Sequence, residues 1–287
     1  MSIARQVVTP VPSFLTRLWA HPVTRIVLGI LAVMLPITLT LALIHAAVPK
    51  PFRVAWPMPL AALLSFLSYR YFTILIEKRQ PSELALTGAA RETGAGIGIG
   101  AALGLSVAGV LAAAGAFIVT GSGSGWETVL KCLPEQIMVA TFEELMFRAV
   151  IFRIAEQRWG TRVALAVSSV LFAVAHLQND SIGALAILNT GVVSLTLCAA
   201  YMLTRRVWLP IGIHFGWNFL YDGFFAVPVS GHDARGWLQV ALPGPEWLTG
   251  GAYGVEASPL TLVVWAVVTV PLIKRSLKSR PIPHHSA

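Results

Sequence analysis

The sequence predicts an all-α membrane protein, a polytopic bundle of about eight transmembrane helices. Three observations predict it. Of the 287 residues, 56% are hydrophobic and only 12% are charged, whereas soluble domains carry about 25% charged residues. Apolar runs of about 20 residues, long enough to cross a bilayer, recur along the chain. Lysine and arginine concentrate in alternate connecting segments, as they do in proteins with cytoplasmic and external loops.

Charge and cysteine content narrow the class further. The net charge of +8 is explained by the basic connecting segments, so we expect no nucleic-acid partner. Cys132 and Cys198 lie in apolar helical stretches without metal-ligand spacing, which favours small core residues over a disulfide or a metal site. Arginine, histidine and proline interrupt the first 25 residues, so these do not resemble a cleaved signal peptide.

The N-terminal part of the chain is expected to hold a tail and three spans. Residues 1–25 read as a loose tail whose second half could form an amphipathic interfacial helix. In the region 26–125 the apolar runs cover 26–48, 56–76 and 94–119. The third run carries glycines at 96, 100 and 104, a spacing that lets two helix backbones approach closely.

The rest of the chain is expected to hold the functional core and a last span. We predict four helices in the region 126–227, at 126–159, 161–177, 182–203 and 208–227. The region 228–287 then supplies a loop rich in proline and glycine, an eighth span at 259–273 and a basic tail. A short surface or re-entrant segment is expected at 237–248.

The distribution of basic residues predicts the orientation. With the N-terminus inside, 17 of the 21 lysines and arginines lie on the inner side, and the exceptions are Lys50, Arg53, Lys131 and Arg235. Both termini should therefore be cytoplasmic. We expect a multi-pass integral membrane protein, in the inner membrane if the cell is bacterial.

Three charged residues stand inside an apolar run. Charge within hydrocarbon is costly and usually marks function. Glu144 and Arg148 are four residues apart, so they share a helix face and can pair. Glu143 is left without a partner in its own helix. The alternative is an ion pair between helices with a spare glutamate.

Two further polar pairs follow on later helices. Phe172 and His176 are four residues apart on the fifth helix, and His214 and Asn218 are four apart on the seventh. At 1.5 Å per residue Glu143 and His176 lie about 21–24 Å from the cytoplasmic helix ends, and His214 and Asn218 lie about 10–15 Å from theirs, a difference that tilt and uneven helix ends can absorb. We expect them to meet in one buried cavity open to the cytoplasm.

Such a set suits peptide hydrolysis without a covalent nucleophile. A glutamate and a histidine can take a proton from one water, and a second histidine and an asparagine amide can bind the resulting oxyanion. Alternatively, Glu143, His176 and His214 could hold Zn²⁺, which takes three such ligands plus water. The expected cofactor is therefore none or zinc, and the residues alone leave both versions open.

These motifs resemble a known family. Glu143-Glu144-x-x-x-Arg148, Phe172-x-x-x-His176 and His214-x-x-x-Asn218, within residues 127–220, are similar to those of the CPBP family, the type II CAAX prenyl proteases and bacteriocin-processing enzymes also called Abi. The resemblance implies an intramembrane endopeptidase of a family commonly labelled metalloprotease.

By the same resemblance each motif residue receives a role. Glu143 and His176 would activate the water, and His214 and Asn218 would bind the oxyanion. Supporting roles fall to Glu144, Arg148 and Phe172.

Two other functions stay open from the sequence. The cluster could serve packing in a non-enzymatic immunity or scaffold protein, or a proton relay in an ion-coupled transporter. No inverted repeat favours the transporter. For a peptidase, the expected partners are the lipid bilayer and a peptide or membrane-protein substrate, for example a leader peptide. The sequence does not predict an oligomeric state.

Overall fold

Helices that run back and forth make up most of the structure, a computed structural model that describes residues 19, 21–123 and 125–278. In chain order the α-helices are α1 (Pro22–Ala47), α2 (Pro57–Leu75), α3 (Ala89–Ala113), α4 (Trp126–Glu144), α5 (Arg153–Ala175), α6 (Ala184–Thr204), α7 (Trp208–Phe219), α8 (Glu246–Thr249) and α9 (Pro259–Lys278). The predicted all-α membrane bundle is confirmed at this level.

Two π-helical segments and four 3₁₀ turns complete the helical elements. One π-helix, Leu145–Phe152, joins α4 to α5, and the other, Leu220–Phe225, extends α7. The 3₁₀ turns are Lys50–Phe52, Ser82–Leu84, Gly251–Tyr253 and Val255–Ala257. A π-helix is rare and often occurs at functional sites, and both of these directly follow helices that carry predicted site residues.

The described helices only partly match the eight predicted spans. Five of them, α1, α2, α3, α6 and α9, are long and apolar enough to cross a membrane. The predicted boundary between the fourth and fifth helices is found at Gly160, whose φ of 80° and ψ of 167° break α5. The predicted eighth span is longer than expected, since α9 continues through the basic residues to Lys278.

One short sheet among the described residues was not predicted from the sequence. Strands β1 (Ile118–Ser122) and β2 (Leu238–Ala241) pair antiparallel, with Ile118 opposite Ala241. The third predicted span at 94–119 was therefore too long, because α3 ends at Ala113 and residues 118–122 pair with the loop that was predicted as a surface segment. Most of the predicted tail and interfacial helix at 1–25 lies outside the described residues.

Glycines let α3 approach α7 closely, as the spacing in the sequence predicted. A Cβ at Gly100 would overlap the backbone carbonyl of Ile213, and a Cβ at Gly216 would overlap that of Ile97. Neither position can carry a larger residue without separating the helices. The helix with His214 and Asn218 is thus held at a fixed depth against α3.

Ion pairs gather at one end of the bundle, where α1 begins, α2 ends and α7 begins; we call it the basic end. Glu77 accepts hydrogen bonds from Arg25 and, at 2.7 Å, from Arg153. Burial would raise the pKa of Glu83, but hydrogen bonds from Arg79 and the charge of Arg153 outweigh it, so this pKa is lowered. The cluster ties α1, α2 and α5 together.

The opposite end, which we call the loop end, carries the β1–β2 pair and residues 226–258. Here Gly231 donates its amide to the carbonyl of Tyr253 at 3.1 Å, and Trp237 donates to that of Gly223 at 3.1 Å. These bonds hold the long segment after α7 against the bundle. The site described next lies toward the loop end, away from the basic end.

Candidate active site

A buried ion pair forms the base of the site. Arg148 Nη1 donates to Glu144 Oε1 at 3.1 Å, and both side chains are fully buried. Arg148 Nη2 also donates to the carbonyl and hydroxyl oxygens of Ser194 in α6, at 3.3 and 3.2 Å. The predicted pairing of residues 144 and 148 is confirmed, and the pair additionally fixes α4 to α6.

His214 rests on this pair and faces the neighbouring glutamate. Its Nδ1 lies 2.9 Å from Glu144 Oε1, and its Nε2 lies 3.9 Å from Glu143 Oε2. An ionised carboxylate only accepts hydrogen bonds, so Nδ1 carries a proton when it bonds Glu144. The bond to Glu144 thereby fixes the orientation of the His214 ring, with Nε2 directed toward Glu143.

The adjacent glutamates have different surroundings. The Glu144 side chain is fully buried and holds both Arg148 and His214, whereas the Glu143 side chain keeps 14% of its surface exposed. Glu143 Oε2 is buried without a hydrogen-bond partner among the described residues. One carboxylate is therefore engaged in structure, and the other is left for a proton or a water.

His176 lies at the C-terminal end of α5 and is oriented by its own helix. Its Nδ1 is 2.7 Å from the carbonyl oxygen of Phe172. A carbonyl only accepts, so the proton is on Nδ1 and the neutral imidazole keeps Nε2 as an acceptor. The two Nδ1 partners, Phe172 O and Glu144, thus leave Nε2 of both histidines available.

The Phe172 ring packs between the polar groups. Its centroid lies 4.6 Å from that of His176 and 6.4 Å from that of His214. The Arg148 guanidinium carbon is 4.7 Å from the same centroid. The ring separates the buried ion pair from His176 and restricts the rotamers of its neighbours.

One cavity brings the four sequence-predicted site residues together. Glu143, His176, His214 and Asn218 all line a space of about 400 Å³ between α4, α5, α7 and the 229–235 segment. Asn218 is 8% exposed and lines the same space. A volume of this size lies within the range of small-ligand and peptide pockets.

The direction in which the cavity extends differs from the sequence prediction. Its lining continues from the four residues to Glu135, Asp222, His232, Asp233 and Arg235, all toward the loop end. The cavity therefore extends away from the basic end, so the two predictions of a cytoplasmic basic end and of a cavity open to the cytoplasm exclude each other. The depth estimate had no information on which end the 226–258 segment covers.

Sequence reasoning also missed a second polar group in the cavity. Gln136 Nε2 donates to Asp222 Oδ2 at 2.8 Å, and Arg235 Nη2 donates to the same oxygen at 2.9 Å. One signal was available, since His214, Asn218 and Asp222 recur every four residues and so share one helix face. The contribution of Arg235 could not be found, because its place depends on the fold of a long loop.

Glu256 holds the loop that follows α7 against this helix. Its carboxylate accepts from Trp217 Nε1 at 2.8 Å and from the Ser230 amide at 2.6 Å. The Asn189 amide on α6 donates to the Glu256 carbonyl at 2.6 Å. Trp217, which lies between His214 and Asn218 on α7, is thus held by the loop that follows this helix.

The expected zinc ligands do not form a metal-binding set. In the part of the chain that the structure describes, no three His, Cys, Asp or Glu side chains are placed to hold one ion. We therefore assign no step of the reaction to a metal.

Comparison with known families agrees with the motif resemblance. Residues 125–220 match the model of the type II CAAX prenyl endopeptidase Rce1-like family. The matched segment contains every one of the seven motif residues from Glu143 to Asn218. No curated protein matches the chain. The match covers about a third of the chain, and together with the apolar helices it points to a multi-pass membrane protein.

Proposed function

From the match of residues 125–220 to the Rce1-like family model, we propose that this protein is an intramembrane endopeptidase. It hydrolyses a peptide bond with a water activated by Glu143 and His176. The observation that carries the proposal is the shared cavity: four polar side chains from three helices line one space of about 400 Å³. Within this space Glu143 Oε2 is buried without a hydrogen-bond partner among the described residues, so it can accept a hydrogen bond from a water.

In the proposed reaction, a water lies between Glu143 and Nε2 of His176. Glu143 accepts one proton of the water while the oxygen of the water attacks the carbonyl carbon of the substrate. His176 accepts a hydrogen bond from the second proton and so directs the lone pair of the water. General-base catalysis of this kind contributes about 10²- to 10⁴-fold.

The negative charge then moves to the carbonyl oxygen of the substrate. The Asn218 amide donates a hydrogen bond to that oxygen, and a doubly protonated His214 donates a second one from Nε2. Glu144 holds Nδ1 of His214, at 2.9 Å, so the ring needs no reorientation as the charge develops. When the C–N bond breaks, Glu143 returns its proton to the leaving amine, and the enzyme is regenerated.

The opening of the cavity bears on where the substrate comes from. The arginines and lysines concentrate at the basic end, so we propose that this end faces the cytoplasm. The cavity extends toward the loop end, and a substrate would then arrive from the outer side or laterally from the bilayer. A leader peptide or a segment of a membrane protein fits this route.

A cleavage assay in proteoliposomes tests the proposal. Wild type should cleave an internally quenched peptide with a membrane-embedded anchor, and Glu143→Gln should lose at least about a hundredfold in kcat/KM, because the amide keeps the shape but not the basicity. Glu127→Gln is the matched control, since it removes an exposed carboxylate from the same helix.

Two results would overturn the proposal. Cleavage by Glu143→Gln at the wild-type rate would remove Glu143 from the reaction. Equal loss in Glu127→Gln and Glu143→Gln would show that charge loss in α4 damages folding, and Glu143 would then have no special role. Folding of each variant is checked by its elution from a sizing column and its melting temperature.

A further inference from the structure

The cavity has a strongly acidic wall beyond the four proposed catalytic residues. Its lining carries four carboxylates against one guanidinium; these are Glu135, Glu143, Asp222, Asp233 and Arg235. Even with His214 doubly protonated, as in the proposed reaction, the lining is therefore net negative. An acidic wall attracts cations, and its field is strengthened where apolar helices exclude water.

The protein's own arginine shows what this wall can bind. Arg235 Nη1 donates to Glu135 Oε2 at 2.7 Å, and its Nη2 donates to Asp222 Oδ2 at 2.9 Å. Burial would lower the pKa of Arg235, but these hydrogen bonds outweigh it and raise the pKa, so the guanidinium stays charged. Planar guanidinium donors and carboxylates pair well in this geometry.

Acceptor atoms remain unused after Arg235 has bound. Asp222 Oδ1 and Gln136 Oε1 are buried and have no hydrogen-bond partner in the described chain. Asp222 is 3% exposed and Gln136 is 7% exposed, yet both line the cavity. The Cys132 thiol hydrogen-bonds the Asp222 carboxylate, but a thiol is only a weak donor and does not neutralise the charge.

Buried acceptors without donors are uncommon in folded proteins, because each costs about 1–3 kcal/mol. A ligand that brings N–H donors and a positive charge would satisfy both Asp222 and Gln136. A substrate carboxylate would not, since Arg235 is already neutralised by two carboxylates. The two unused acceptors can therefore bind a cation.

We propose that Asp222 and Gln136 form a subsite that binds a lysine or arginine side chain of the peptide substrate. This inference rests on the proposed peptidase function and names a feature of its substrate. The substrate ammonium or guanidinium would donate to Asp222 Oδ1 and Gln136 Oε1. Arg235 would close over the other face of Asp222.

Helix geometry gives the distance of this subsite from the reaction. Asp222 follows His214 by eight residues, and Gln136 precedes Glu143 by seven, which corresponds to about 10–12 Å along each helix. An extended peptide covers about 3.3 Å per residue. The basic residue should therefore lie three or four positions from the scissile bond.

The test uses reporter peptides that are neutral except for one lysine. The lysine is placed at successive positions on both sides of the scissile bond, and a matched peptide carries glutamine at each of these positions. In wild type, lysine three or four positions away should raise kcat/KM at least about tenfold over glutamine. In Asp222→Asn that ratio should fall to about one. Glu246→Gln, an exposed carboxylate at the loop end outside the cavity, should keep the wild-type ratio.

A second variant and a binding measurement cover the case in which Asp222→Asn does not fold. Gln136→Glu adds a carboxylate beside the cation, so it should increase the lysine preference. Binding of the lysine and glutamine peptides to Glu143→Gln, measured by fluorescence anisotropy, reports the subsite without cleavage. The lysine peptide should bind at least about tenfold more tightly.

The outcomes separate the subsite from the peptidase function. If no peptide is cleaved but the lysine peptide binds Glu143→Gln more tightly, the subsite stands and the proposed reaction fails. If wild type cleaves lysine and glutamine peptides equally, or the lysine preference survives in Asp222→Asn, the subsite is overturned and the peptidase function stands.

Discussion

Glu144 Oε1 bonds Arg148 Nη1 at 3.1 Å and His214 Nδ1 at 2.9 Å. A single carboxylate oxygen thus connects the charged segment of α4 to the histidine of α7. Because the Glu144 side chain is fully buried, both partners are needed to compensate for its charge. Glu144 therefore organises the site while Glu143 stays available.

Loss of Arg148 should destabilise the fold. In Arg148→Met the Glu144 carboxylate loses its guanidinium partner in a buried environment, which costs about 3–5 kcal/mol. A lower melting temperature in detergent should report this, while Arg162→Met, which removes an exposed arginine, should change it little. Adding Glu144→Gln to Arg148→Met should recover part of the loss. Equal melting temperatures of Arg148→Met and Arg162→Met would contradict the claim that the buried ion pair stabilises the fold.

Loss of the Asn218 amide should slow the chemical step. Asn218→Ala removes one proposed donor to the oxyanion, which forms only during the reaction, so kcat should fall by about 10²- to 10³-fold with little change in KM. Steady-state kinetics on the reporter peptide measure both constants. A rise in KM at unchanged kcat would instead place Asn218 in ground-state binding.

Chelators should leave the activity intact. The proposed reaction needs only side chains, because Glu143, His176 and His214 do not form a three-ligand set among the described residues. Activity after prolonged treatment with EDTA or phenanthroline should equal that of untreated enzyme, and metal analysis should find well under one equivalent. Loss of activity that zinc restores would require a different mechanism.

The side on which the cavity opens can be mapped by thiol labelling. Asp233→Cys at the cavity and Arg158→Cys at the basic end are introduced after the buried Cys132 and Cys198 are replaced with alanine. In intact cells a membrane-impermeant maleimide should label position 233 and reach 158 only after permeabilisation. The reverse pattern would place the cavity opening in the cytoplasm.

Local chemistry in the sequence was a good guide to this site. The four-residue spacings predicted the Glu144–Arg148 pair, which the structure confirms, and the glycine spacing predicted the close packing at Gly100. Each depends on one helical period, which the sequence carries directly. The three motifs were sufficient to predict the family that residues 125–220 match.

Features that depend on distant segments were not predictable. The β1–β2 pair joins residues separated by more than 100 positions, and Arg235 reaches Asp222 only because the loop after α7 folds back. No helical period encodes such contacts. The same loop decides toward which end the cavity extends. The helix spacings could therefore bring the predicted site residues together without showing the side on which the cavity opens.

The most direct test of the central claim replaces the proposed base and returns it from solution. Glu143→Ala should lose at least about a hundredfold in kcat/KM on the reporter peptide, and added formate should restore part of the rate by supplying a carboxylate to the vacated space. Glu127→Ala should show neither effect. Wild-type cleavage by Glu143→Ala in the absence of formate would contradict the claim that this carboxylate activates the water.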